Sequence, residues 1–132
     1  MSQQKYRYYF QHEETGHITF KEYELEEIES YDGIQIPHRY FITARCQFTG
    51  LLSKDGVEIY EGDIIGFDMD TFYKRIFTVI YDSGRFGIQT DEGFRCLSDW
   101  IITQKDNNTI SCEVIGNIYE NPELLKKGNE LC

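Results

Sequence analysis

Residues 48–67 read FTGLLSKDGVEIYEGDIIGF, and this stretch decides the fold. Its apolar and aromatic positions are interrupted twice by small, turn-forming residues, at Ser53-Lys54-Asp55-Gly56 and at Glu61-Gly62-Asp63. Val57, Ile59 and Tyr60 favour a short strand between the breaks, and Ile64-Ile65-Gly66-Phe67 a second one after them. Gly56 supplies the positive φ that a tight hairpin turn demands. A glycine followed by aspartate, as at Gly62-Asp63, suits a turn whose carboxylate bonds nearby backbone N–H groups.

Working outward, Tyr40–Phe48 is the longest strand candidate, with Gly50 ending it or marking a bulge. Residues 5–23 read as a β-hairpin: Tyr6, Tyr8 and Phe10 alternate with Arg7, Tyr9 and Gln11, and a polar loop ending at Gly16 leads to Ile18–Tyr23. Leu25 and Ile28 fit one helical turn, and Ile34–His38 an exposed connection. Downstream, Asp68–Lys74 is a polar loop and Ile76–Tyr81 an unbroken strand. Asp82-Ser83-Gly84 turns it into Phe86–Thr90, and Asp91-Glu92-Gly93 turns again into Phe94–Leu97. After a surface loop around Lys105–Asn108, Ser111–Tyr119 is the last strand. Asn121 and Pro122 then suit the N-cap and first position of a short C-terminal helix. Short strands joined by tight turns, without a sustained helical period, predict a mainly β protein: a small antiparallel barrel or folded sheet with an N-terminal hairpin.

The chain has 132 residues, enough for one ordinary domain without a stabilising metal or disulfide. Nine Phe, ten Tyr and one Trp provide an aromatic-rich core. Thirteen basic residues against 23 acidic ones leave a net charge of −10. Residues 1–45 hold 5 basic and 8 acidic groups (−3), and residues 46–120 hold 6 and 13 (−7). Affinity for nucleic acid rests on neutralising phosphates, so this balance disfavours it. Cys46, Cys96, Cys112 and Cys132 form no C-x-x-C pair, and the sequence starts without the apolar run of a signal peptide. A soluble, cytoplasmic protein with reduced cysteines is expected.

Two motifs carry a resemblance. FTGLLSKDGVEIYEGDII, at Phe48–Ile65, and VIGNIYENPELL, at Val114–Leu125, resemble the recurrent pieces of the YopX family of Gram-positive phages and prophages. A Val-x-x-Asp-x-Gly piece, Val79 to Gly84, lies between them. The resemblance covers residues 46–125 and leaves 1–45 outside it as an N-terminal hairpin and connection, with 126–132 as a short tail. It implies phage origin and an SH3-like barrel core, and brings no catalytic residues. The residues it marks are Gly50, Asp55, Gly56, Tyr60, Gly62, Asp63, Gly116, Asn117, Asn121 and Pro122, read as structural turn and motif positions.

The residues offer little chemistry. Asp68-x-Asp70 lacks the glycine and closing glutamate of a calcium loop. His12 and His17 flank the hairpin loop without the cysteine or histidine partners that zinc requires. Ser83 sits in an ordinary turn, and Cys96 reads as a buried strand thiol. Glu58, Glu61 and Asp63 crowd one turn, as an acid/base pair would, yet a solvated turn accounts for them. The chain is therefore expected not to be an enzyme and to need no cofactor. The expected function is a small protein-interaction or regulatory module, with a protein partner that includes a second copy of itself as a candidate homo-oligomer. The alternatives are a nucleic-acid-binding small barrel using Lys74, Arg75, Arg85 and Arg95 around Phe86 and Phe94, or an acidic decoy for a DNA-binding protein.

Overall fold

The computed structural model describes residues 4–68, 74–90, 92–100 and 108–125. The chain divides into two compact units, Met1–Phe48 and Thr49–Cys132. The expected Asp68–Lys74 loop, the loop before Asn108 and the tail 126–132 fall mostly or wholly outside the described residues.

In the first unit, β1 (Lys5–His12) pairs antiparallel with β2 (Ile18–Glu24) and, on its other side, with β3 (Tyr40–Leu52). A bulge between Tyr9 and Phe10 shifts the β1–β3 register. The hairpin loop is organised by His12, whose Nδ1 accepts the N–H groups of Glu14 and Thr15, both at 3.2 Å. Strand β1 is central, and its middle is buried on both faces. One face carries Tyr8 and Phe10, joined by Tyr23 of β2; Ile28 of α1 (Leu25–Ile28) and Ile34 pack on them. Ile34 therefore belongs partly to the core, not to a wholly exposed connection.

The other face of β1 departs from the simple alternation of the sequence. Arg7, which the alternation groups with Tyr9 and Gln11, is buried. A buried guanidinium needs its charge and donors matched. Glu22 Oε2 accepts from Arg7 Nε at 3.2 Å and Nη2 at 2.9 Å, while Nη1 donates to the Tyr9 hydroxyl at 3.1 Å. Its flat face lies over the Phe20 ring at 4.6 Å. All of these partners lie on β1 or β2, so the hairpin pairing itself assembles them.

In the second unit, β4 (Glu58–Tyr60) follows β3 in sheet order. Two further sheets have the orders β10-β5-β6 and β7-β8-β9. Their strands are β5 (Asp63–Asp68), β6 (Lys74–Thr78), β7 (Ile80–Asp82), β8 (Arg85–Thr90), β9 (Gly93–Cys96) and β10 (Glu113–Asn117). Every pairing within these two sheets is antiparallel. Ile59, Ile65, Phe67, Val79, Ile88, Leu97, Ile110 and Cys112 form one apolar core. The architecture is mainly antiparallel β with a short C-terminal helical turn at 123–125, and among the described residues no barrel closes. The strands lie in three sheets, and the closed form of the expected barrel is not seen among the described residues.

Two strand expectations change, and one of the two alternatives at Gly50 is settled. The run Ile76–Tyr81 is not one strand: it breaks at Val79, and its two halves enter different sheets. Strand β3 continues through Gly50, whose φ of +86° marks an irregularity inside the strand and not its end. The last strand is shorter than Ser111–Tyr119, because its ends turn to make other bonds. Ser83 and Gly84 take φ of +53° and +84°, the consecutive positive values of a two-residue hairpin turn.

Tyr23 is buried with its ring edge-on to Tyr8 at 5.6 Å, yet among the described residues its hydroxyl has no hydrogen-bond partner. Removing an unsatisfied buried hydroxyl removes its desolvation cost. Tyr23→Phe is expected to leave stability unchanged or raise it by up to about 1 kcal/mol in urea unfolding; a clear loss would contradict this packing.

Candidate functional site

The motif residues separate into two clusters. The first surrounds Ser53, the first residue of the expected turn, which is buried. Its hydroxyl oxygen accepts from Asp55 N–H at 3.3 Å and Val57 N–H at 3.2 Å, and its carbonyl accepts from Gly56 N–H at 2.9 Å. Gly56 has φ of +85°, as the turn requires. Upstream, Thr49 Oγ1 donates to the Ile59 carbonyl at 2.7 Å and accepts from Leu51 N–H at 3.1 Å, closing the irregularity at Gly50. Lys54 N–H reaches the Cys112 carbonyl at 3.0 Å. A serine two residues before Asp55-Gly56 is a recognisable turn signal, and it was the available clue.

The second cluster joins the end of the first motif to the second. Gly62 holds φ of +89°. Asp63 is fully buried, and its Oδ2 accepts from Tyr60 N–H at 2.8 Å. The solvated turn expected for Glu58, Glu61 and Asp63 is thus wrong for Asp63, although its bond to local backbone is the one anticipated. Glu58 takes a different partner, accepting from the buried Tyr60 at its hydroxyl at 3.3 Å. Backbone bonds then tie the corner to distant segments: Gly62 N–H to the Val79 carbonyl, Val79 N–H to the Asp63 carbonyl, both 2.8 Å, and Ile118 N–H to the Gly62 carbonyl at 2.9 Å. These bonds explain the break at Val79, whose donor and acceptor both turn to the corner.

Asp63 stands opposite Asn117 in the β5–β10 pairing. Asn117 is buried, and its Oδ1 accepts from Tyr119 N–H at 3.1 Å and Glu120 N–H at 2.8 Å. Its Nδ2 donates to Glu120 at 2.9 Å. Asn121 folds back: its Oδ1 accepts from Asn117 N–H at 3.2 Å, and its N–H donates to the Asn117 carbonyl at 2.8 Å. Its side chain therefore serves β10, while its carbonyl accepts from Leu124 N–H at 3.1 Å to start the turn containing Pro122. Gly116 leaves the space for this return, since a Cβ there would lie 2.6 Å from Asn121 Oδ1.

Other candidate chemistry is dispersed. Burial pushes the Cys112 thiol up to about 12, with Asp63 adding to the shift and Lys54 opposing it. It remains a thiol at neutral pH and is a poor nucleophile. Because the folded value lies above the ordinary 9.0, this group lowers stability only as pH rises from about 9 towards 12. Cys46 is buried, whereas Cys96 is half-buried, less enclosed than expected. His17 Nδ1 lies 3.0 Å from the Tyr40 hydroxyl, and the His12 ring meets Tyr40 edge-on at 5.0 Å. Among the described residues no three His, Cys, Asp or Glu side chains gather as metal ligands. The arginines are engaged separately: Arg75 over Phe77 at 5.4 Å, Arg85 over Phe94 at 5.1 Å, Arg95 beside Asp99 at 3.6 Å and Glu92 at 4.0 Å.

This fold and its motif joint define a small antiparallel β protein whose most distinctive residues hold its own backbone together. The chain belongs to the YopX family, described as YopX protein, with residues 1–126 matched. The match includes the hairpin and connection at 1–45, which the motifs alone had left outside. Protein EF1440 from Enterococcus faecalis, known from a crystal structure, is similar at 27% identity and a TM-score of 0.48, over 89% of this chain and 74% of that one. No curated protein matches the chain.

Gly62→Val is expected to destabilise the protein by roughly 1–3 kcal/mol through backbone strain. Gly116→Ala should cost a similar amount, about 1–3 kcal/mol, by displacing Asn121. Urea or thermal unfolding measures both, and an unchanged midpoint for either variant would refute its assigned role.

Proposed function

We propose that this protein is a phage-encoded, cytoplasmic interaction module that acts by binding another protein and not by catalysis. The observation that carries this reading is the outer strand β2, paired with β1 on one side only among the described residues. The hairpin register gives its outward groups. His12 N–H bonds the His17 carbonyl and Leu25 N–H bonds the Gln4 carbonyl, so odd-numbered residues of β2 face β1. The N–H and C=O groups of Ile18, Phe20 and Glu22 therefore face away from it. An open strand edge is a template for another chain, with backbone bonds supplying affinity and flanking side chains selectivity. Phe20, 39% exposed, provides an aromatic contact beside that edge.

Nucleic-acid binding is the weaker reading. The net charge is −10, and Arg75, Arg85 and Arg95 stand against aromatic or acidic neighbours of their own. Localisation in the cytoplasm accords with the described residues, where no helix is long and apolar enough to cross a membrane.

Immobilised protein should capture a bacterial protein from nuclease-treated lysate, and Ile18→Pro, which removes one outward N–H, should reduce that capture about tenfold. Capture abolished by nuclease would overturn the protein-binding reading in favour of nucleic acid. Equal capture by the folded variant would remove β2 as the binding surface.

A further inference from the structure

The open edge of β2 is short and symmetric, and this symmetry identifies what it can accept. At its C-terminal end, Glu24 N–H is already bonded to Glu27 Oε1 at 2.9 Å, within the capping box of α1. At its N-terminal end, the chain leaves the strand before Ile18 for the hairpin loop. The outward backbone groups are consequently those of Ile18, Phe20 and Glu22, evenly spaced about Phe20. A second identical segment, antiparallel and related by a two-fold axis at Phe20, would match all of them: Phe20 to Phe20, Ile18 to Glu22, and Glu22 to Ile18.

Side chains select the same register. Centring on Phe20 places the two Phe20 rings side by side, a favourable cross-strand pair. On the opposite face Lys21 stands across from Thr19, so no like charges oppose. Sliding the centre to Lys21 sets lysine against lysine, and sliding it to Glu22 sets glutamate against glutamate; both are unfavourable. Centring on Thr19 also avoids such clashes but leaves Glu22 opposite Gly16 in the loop, outside the strand.

We infer that β2 is a self-recognition edge: two copies of this chain join through antiparallel β2 strands, with the two-fold axis at Phe20. The inference rests on β2 being the binding surface and names a second copy as its occupant. The shared segment is short, so the dimer forms at high protein concentration. Each copy carries −10, so added salt, by screening repulsion, strengthens it.

Sedimentation of the full chain over a concentration series, at low and at moderate salt, tests this. A monomer-to-dimer shift that salt promotes, with a dissociation constant raised about tenfold or more by Ile18→Pro, is expected. A disulfide scan reads the register without depending on that variant's folding. Under mild oxidation Phe20→Cys should give a covalent dimer, because directly opposite residues have Cα atoms about 5.5 Å apart. Ile18→Cys and Glu22→Cys should not, since each would lie four residues, about 13 Å, from its own copy. Monomer at every concentration, or cross-linking no faster for Phe20→Cys than for Glu22→Cys, overturns the inference. If lysate capture remains sensitive to Ile18→Pro while the chain stays monomeric, self-recognition falls and binding of a different protein through β2 stands. If both are absent, both fall.

Discussion

The second unit turns on one buried hydrogen bond, from Tyr60 N–H to the Asp63 carboxylate. A buried carboxylate is costly unless donors meet it, and a buried N–H left without an acceptor costs about 1–3 kcal/mol. Closing this bond requires the chain to reverse within Glu61-Gly62, and the φ of +89° at Gly62 makes that reversal possible. Once formed, the corner presents the backbone of Gly62 and Asp63 to two remote segments. Val79 bonds it on one side and Ile118 on the other. A local turn thereby fixes where β6 ends, where β7 begins, and how β10 leaves the sheet.

The Asn117–Asn121 return is the counterpart of that corner. Asn117 caps the turn after β10, Asn121 holds the backbone of Asn117, and Gly116 keeps the space between them clear. Asp63 and Asn117 are direct pairing partners, so the two motifs that carry the family resemblance meet in space. Their distinctive residues are explained by satisfying buried polar groups. The first unit is different in kind: among the described residues β2 is paired on one side only, and it is at that edge that we propose a partner binds.

What could be read in the sequence was local. The hairpin, the Asp55-Gly56 turn and the Gly62-Asp63 corner each declare themselves within a few residues, through alternation or turn chemistry. Ser53 is equally local as a turn residue, but its burial depends on the strands around it. Features set by distant partners could not be read. Val79 sits in a flawless run of strand formers, and only its bonds to Gly62 and Asp63 break it. Arg7 looks like a surface residue until Glu22 and Phe20 are placed beside it. Asn121 looks like a helix cap until Gly116 is seen to admit its side chain. The open groups of β2 follow from pairing parity, which neither strand reveals alone.

Native-state hydrogen exchange resolved to single amides tests the central claim most directly, because each bond of the corner has its own proton. The amides of Tyr60, Gly62, Val79 and Ile118 should exchange together and slowly, opening only when the second unit unfolds as a whole. The outward amides of Ile18 and Phe20 should exchange far faster in dilute monomer. Rapid or mutually independent exchange at Tyr60, Gly62, Val79 and Ile118 would contradict the account.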